Sequence, residues 1–214
     1  MQPSPILEAW SYHCKRAETI DVPPDGCRDI IFVSDAVGRT TAHLFELARS
    51  NHRGRGVVGT SMRGLRLRPG TIIDTVGLHR WLTQTPLAPD MRLDEISAFL
   101  STNASLDEAL TVLATPDIKI NNGAKFLGQT QRTLQRLVAK HTGQPPVFWR
   151  QLARARRTAK ALFRAANYAE IAHQFDYADH AHMARDMQTW FGYRPSEIAA
   201  NAQLHANLLA KAYC

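Results

Sequence analysis

Residues 119–214 carry the same short helical unit twice, and this repeat constrains the fold more than any other feature of the chain. The first copy is Ala124-Lys-Phe-Leu-Gly-Gln-Thr-Gln-Arg-Thr-Leu-Gln-Arg-Leu137. The second is Ile171-Ala-His-Gln-Phe-Asp-Tyr-Ala-Asp-His-Ala-His-Met-Ala-Arg185. Each has an apolar helix, a break (Gly128 in one, Asp176 and Tyr177 in the other) and a second helix with a polar tip. That is the pattern of a helix-turn-helix, whose second helix enters a major groove. Two copies predict a unit able to read two successive groove faces of a duplex.

The net charge of +7 is unevenly spread. Residues 1–118 hold 12 Lys and Arg against 14 Asp and Glu, whereas residues 119–214 hold 14 against 5, a net of +9. A near-neutral half joined to a basic half predicts a separate polyanion-binding domain, with the boundary near residues 115–119. A length of 214 residues gives room for two modest cores. No run is long and apolar enough to span a bilayer, and Met1-Gln-Pro-Ser-Pro lacks a basic segment followed by an apolar one. No membrane partner is therefore expected, and a cytoplasmic location is. Cys14, Cys27 and Cys214 are odd in number and widely spaced, which fits reduced thiols and not a disulfide framework.

The two halves differ in periodicity. Residues 6–77 read as short extended runs, such as Ile6-Leu-Glu-Ala-Trp-Ser-Tyr-His13 and Asp29-Ile-Ile-Phe-Val-Ser34, separated by Pro- and Gly-bearing turns. This spacing predicts a small β-sandwich or barrel. Leu65-Arg-Leu-Arg68 alternates apolar and basic, predicting a wet, positive sheet face. From Leu78 the pattern turns helical: residues 91–100 place Leu93, Ile96, Phe99 and Leu100 on one face, and Ser105 starts a helix that Pro116 ends. In the basic half a helix runs from Val147 to about Arg164, with Phe148, Leu152, Ala155, Ala159 and Leu162 as its buried stripe and Arg150, Arg154 and Arg157 on another face. Asn167 and Glu170 make a capping-box start, and Pro195 begins a final helix whose tail carries Leu204, Leu208 and Leu209. The fold class is thus α+β, a β-sandwich or barrel of cupin-like type with helices, followed by an all-α double helix-turn-helix domain.

The run Thr130-Gln-Arg-Thr-Leu-Gln-Arg-Leu-Val-Ala-Lys-His-Thr-Gly-Gln-Pro-Pro146 resembles the first helix-turn-helix and linker of AraC/XylS-type transcriptional regulators. The second copy, closed by Gly192-Tyr-Arg-Pro195, resembles their second motif. Val22-Pro-Pro-Asp-Gly-Cys-Arg-Asp-Ile-Ile-Phe32 and Gly64-Leu-Arg-Leu-Arg-Pro-Gly70 resemble the β-rich sensor domain of a small-regulator branch. Two departures stand out. Asp176 replaces the usual glycine but tolerates the left-handed turn, and Asn122-Gly123 weakens the helix before the first turn. The resemblance implies a DNA-binding transcriptional regulator without catalytic residues or cofactor: residues 1–118 for sensing and dimerisation, residues 119–214 for operator DNA. Its partners are double-stranded DNA, a second copy where it dimerises, and RNA polymerase where it activates.

Side-chain chemistry then nominates the contacts. With Leu134 and Leu137 inward, Gln131, Arg132, Gln135 and Arg136 face outward, where arginine pairs with guanine and glutamine with adenine. With Met183 inward, His180, His182 and Arg185 face the groove, and Lys140, Arg150, Arg154 and Arg157 are assigned to phosphates. In the first half, Arg49-Ser-Asn-His-Arg53-Gly-Arg55 followed by Gly59-Thr-Ser-Met-Arg-Gly64 resembles the cyclic di-GMP motif of PilZ domains, although Gly59 replaces an acidic or amide residue and the spacing is shorter. This nominates Arg49, Arg53, Arg55, Ser61 and Gly64 for cyclic di-GMP or another anionic effector, with a different metabolite or no ligand as the alternative. A cupin-type enzyme needs clustered metal ligands, but His13, His43, His52 and His79 are scattered; Asp179-His-Ala-His182 lies on the second recognition helix. A DNA-repair enzyme needs an activated cysteine, and Cys27 has Arg28 beside it but no His or second Cys.

Duplex binding by residues 119–214 should be salt-sensitive, with log K falling by roughly 0.9 per log unit of salt for each phosphate neutralised. Electrophoretic or anisotropy titration at several salt concentrations checks this, and a folded fragment that shifts no duplex at low salt would refute it.

Overall fold

The computed structural model describes residues 3–88, 94–165 and 167–214. Its elements are β1 (Ile6–His13), β2 (Glu18–Val22), β3 (Arg28–Ser34), β4 (Thr40–Phe45), β5 (His52–Gly56), β6 (Ser61–Leu67), β7 (Ile72–Ile73), α1 (Thr75–Gln84), a 3-10 helix (Asp94–Phe99), β8 (Leu100–Ser101), α2 (Ala104–Ala114), α3 (Ile120–Phe126), α4 (Gln131–Thr142), α5 (Pro146–Leu162), α6 (Tyr168–Gln174), α7 (His180–Phe191), α8 (Pro195–Ala200) and α9 (Ala202–Leu209). A β-rich half is followed by a helical half, the mixed α+β arrangement expected from the sequence. Of the helix expected over residues 91–100, Met91 and Leu93 lie outside the described residues. The remainder is the 3-10 helix and β8.

The strands pair antiparallel as one four-stranded sheet, β1-β6-β3-β4, and two ribbons, β2-β5 and β7-β8. Alternation along β3 and β6 turns Ile30, Phe32, Leu65 and Leu67 to one face. Leu78 of α1 and Ile96 of the 3-10 helix cover that face and complete the first core.

The second core is built around α5. This 17-residue helix buries Trp149, Leu152, Ala153, Ala155, Arg156, Ala159 and Leu162, and it packs against α2, α4, α6, α7, α8 and α9. Leu106, Ala109, Leu110 and Leu113 of α2 belong to the same cluster. As a packing unit the helical half therefore starts at α2, upstream of the break read near residues 115–119, because the apolar face of α2 has its partners there. Gly123, which weakens α3 as a free helix, allows close approach to α2: a Cβ there would meet Val112 Cγ1 at 3.1 Å.

The two halves meet along an extensive polar seam. Asp21, 6% exposed, accepts hydrogen bonds from Asn51 Nδ2 (3.0 Å), Arg53 Nε (3.3 Å), Tyr193 Oη (2.8 Å) and Asn201 Nδ2 (3.4 Å). The carbonyl of Asp21 accepts from Asn207 Nδ2 at 2.6 Å. Nearby, Arg156 is fully buried and donates to the carbonyls of Pro24 (3.0 Å) and Leu208 (3.1 Å). The Tyr213 amide donates to Asp25 O at 2.8 Å, and Gly26, at φ 77°, leaves room for the Tyr213 side chain, which a Cβ would approach to 2.6 Å. Arg66 does not make the expected wet sheet face. It pairs with Asp25 (3.3 Å) and Asp29 (3.4 Å) and reaches the Lys211 carbonyl. The helix opened by Pro195 breaks at Asn201, which caps α9 through the Leu204 amide. Leu204 and Leu208 are buried, while Leu209 is exposed.

Burial pushes the Asp21 carboxyl up, but the bonds from Asn51, Tyr193, Asn201 and Arg53 outweigh it and hold the group below its ordinary value of 3.8. Such a group contributes stability that is complete above that value and is lost as pH falls through the lower folded one. Asp25, pushed up chiefly by burial, has the opposite sign. The wild type should therefore lose more stability than Asp21→Asn between about pH 5 and pH 2, measured by denaturant unfolding at each pH. Equal losses would show that Asp21 does not hold the seam. Leu113→Ala should cost about 2–5 kcal/mol. A fragment beginning at Asn103 should unfold at higher denaturant than one beginning at Lys119, and equal midpoints would remove α2 from the helical unit.

Candidate nucleic-acid interface

In the first motif Gly128 turns the chain between α3 and α4, and Thr130 caps α4 by accepting from the Thr133 amide (3.1 Å). Leu134 and Val138 are fully buried and fix the inner face. Leu137 is half-buried and packs against the same core, and Val138 joins the inner face beside it. Gln131, Arg132, Gln135, Arg136 and Lys140 are all exposed along the outer face.

In the second motif Asp176 adopts φ 56°, the left-handed turn that its short polar side chain tolerates. Tyr177 is buried behind it, and Asp179 caps α7 by accepting from the His182 amide at 2.6 Å. Met183, Met187 and Trp190 face inward, while His180 and Arg185 are exposed. His182 is half-buried. Its Nδ1 accepts from the Ala178 amide (3.3 Å), and its ring meets Tyr177 edge-on at 5.2 Å, so it serves the turn.

The residues assigned to phosphates separate. Lys140 is free to reach a backbone. Arg150 is half-buried and lines a 230 Å³ cleft between residues 115–118, α5 and residues 174–176. Arg154 is engaged within the protein: it pairs with Asp186 (3.1 Å), donates to Asp176 O (3.4 Å) and lies 4.1 Å above the Tyr177 ring. Arg157 donates to the Ala114 carbonyl and closes the end of α2. Both are thus engaged within the protein through their terminal nitrogens, while the Nε of each is buried without a partner. Sequence reading missed Arg156. Its position, four after Leu152 and three before Ala159, is the one available signal, since it falls in the buried stripe.

The five residues nominated for cyclic di-GMP do not converge. Arg49 faces the helical half, where Gln144, in its favourable amide orientation, accepts from Nε and Nη2 at 3.1 and 2.9 Å. Arg53 is held by Asp21 and lies 5.1 Å from the Tyr193 ring centre. Arg55 is exposed on β5 opposite Thr19. Ser61 and Gly64 lie on β6, three residues apart and so on opposite sheet faces. Ser61 meets His13 Nδ1 at 2.9 Å, and Gly64 makes room for the Trp10 indole, which a Cβ would approach to 2.3 Å. The sequence cluster is thus divided between the seam and the sheet.

The helix-turn-helix domain family of the AraC type matches residues 124–201, from within α3 to the residue that ends α8. Residues 124–201 are an AraC-type helix-turn-helix domain. Similar solved structures include a transcriptional regulator with an AraC-type DNA-binding domain from Chromobacterium violaceum, 20% identical over 45% of this chain and 89% of its own, with a TM-score of 0.43. The C-terminal domain of AraT, a response regulator from Geobacillus stearothermophilus, is 16% identical over 46% of this chain and 85% of its own, with a TM-score of 0.41. ToxT from Vibrio cholerae is 9% identical over 90% of this chain and 97% of its own, with a TM-score of 0.47. No curated protein matches the sequence. Among the described residues no helix is long and apolar enough to cross a membrane.

Proposed function

We propose that the protein is a sequence-specific double-stranded-DNA-binding transcriptional regulator in which α4 and α7 each read a major groove. One observation carries the reading: both capped recognition helices hold amide or guanidinium side chains outward, and those of Gln131, Arg132, Gln135, Arg136 and Arg185 stay exposed with the β-rich half docked. The docked half meets the ends of α4 and α7, Tyr193, α9 and the buried side of α5, while the outward residues named above stay exposed. Charge points the same way, since the net of +9 lies in residues 119–214. Regulation then acts through how the halves are docked, because among the described residues nothing covers the reading surface in this arrangement. Cyclic di-GMP gains no support from the site: Arg53 is tied to Asp21 and Tyr193, and Ser61 and Gly64 face away from each other.

Arg136→Ala and Arg185→Ala should each weaken binding to a selected duplex by about 1–3 kcal/mol and relax preference at separate base pairs, roughly one helical turn apart. Binding titrations against single-base variants of that duplex check this. Two variants that bind like wild type would end the assignment of α4 and α7 as reading helices.

A further inference from the structure

Linker helix α5 is tethered to both reading units by directional bonds. Toward the first, Trp149 Nε1 donates to Thr142 Oγ1, at the end of α4, at 3.1 Å. Toward the second, Arg154 makes three contacts with one planar cation. Its Nη2 bonds Asp186 Oδ2 on α7 (3.1 Å), its Nη1 bonds the carbonyl of Asp176 in the turn (3.4 Å), and its guanidinium stacks on Tyr177 at 4.1 Å. The Tyr177 hydroxyl donates to the same Asp186 oxygen at 2.8 Å, which closes the arrangement into a ring. Both ion-pair partners are largely withdrawn from water, with side chains 22% and 18% exposed. The apolar core behind α7 includes Met183 and Met187, flexible side chains that fill space with little directionality.

We infer that Arg154 is a positioning residue that fixes the second recognition helix relative to the first, and so sets the spacing and rotation of the two DNA elements the protein accepts. The inference rests on the DNA-reading function proposed above. Moving one element by a base pair shifts it about 3.4 Å along the axis and rotates it by about 34°. A rigid pair of helices cannot follow both changes, and loss of a directional tie lets the second unit shift more readily. Arginine suits the role because its planar fork can bond and stack together, which a lysine ammonium cannot do.

The test begins with full-length wild-type protein and a duplex selected from a random library, plus versions with one base pair inserted or removed between the two contacted elements. Wild type should lose about tenfold or more on each shifted duplex. Arg154→Ala and Arg154→Lys should both bind the native duplex about tenfold more weakly, yet bind the shifted duplexes within about threefold of it, with an unchanged salt slope. Asp186→Asn, which leaves Arg154 in place, should relax the spacing in the same direction, and it carries the test if Arg154→Ala does not fold. Three results overturn the inference: a lysine variant that behaves as wild type, a salt slope reduced by about one in Arg154→Ala, or losses equal at every spacing. The first two make Arg154 a phosphate contact, and the third gives it general stability only. Failure of the wild type to enrich any sequence defeats the DNA-reading function itself, and is read before any variant is made.

Discussion

The arrangement of the molecule depends on α5 being buried on nearly every side while carrying four arginines. A helix with one apolar stripe has one neighbour layer, but α5 meets six other helices and leaves little of itself to water. Three of its arginines direct their terminal nitrogens to different partners, although the Nε of all four is buried without one. Arg150 lines a cleft, Arg154 holds the second reading unit, Arg157 closes α2, and Arg156 is spent on backbone carbonyls from both ends of the chain. A buried guanidinium is costly unless its donors are satisfied. Burial draws Arg156 below the usual arginine range, and Asp25 nearby is its principal compensation.

The seam between the halves follows the same logic with the sign reversed. Asp21 is a withdrawn carboxylate met by donors from β5, the loop before it, Tyr193 between α7 and α8, and Asn201, while Asn207 of α9 bonds its backbone carbonyl. Removing one partner of such a network leaves the others unsatisfied, so the halves should part as a unit and not slide gradually. A signal that changes how they are docked must therefore break several polar bonds together.

What was legible in the sequence was local. The cap Asn167, the left-handed Asp176 and the outward positions of α4 follow from spacing and side-chain chemistry within a few residues. What was hidden depends on partners far along the chain. Arg150, Arg154, Arg156 and Arg157 look alike in sequence, and the carbonyls of Pro24, Ala114 and Leu208 leave no mark in it. Arg49 and Arg53 read as an anion loop because Gln144, Asp21 and Tyr193 were not in view. Residues 104–114 were read with the first half, and their packing on the helical core was hidden because an apolar helix face does not name what it packs against.

The packing of Tyr213 over Gly26 bears on the order in which the chain acquires its structure during synthesis. The first core closes with Leu100, so the β-rich half can form its sheet early. The segment from Asp21 to Cys27 then waits for its full cover: Trp149 and Arg156 emerge about fifty residues later, and Tyr193, Asn201 and Tyr213 complete it only after more than a hundred. At ordinary ribosomal speeds this interval is roughly ten seconds. During it, the two prolines, the cysteine and the aspartates Asp21 and Asp25 lack part of the cover that the helical half supplies.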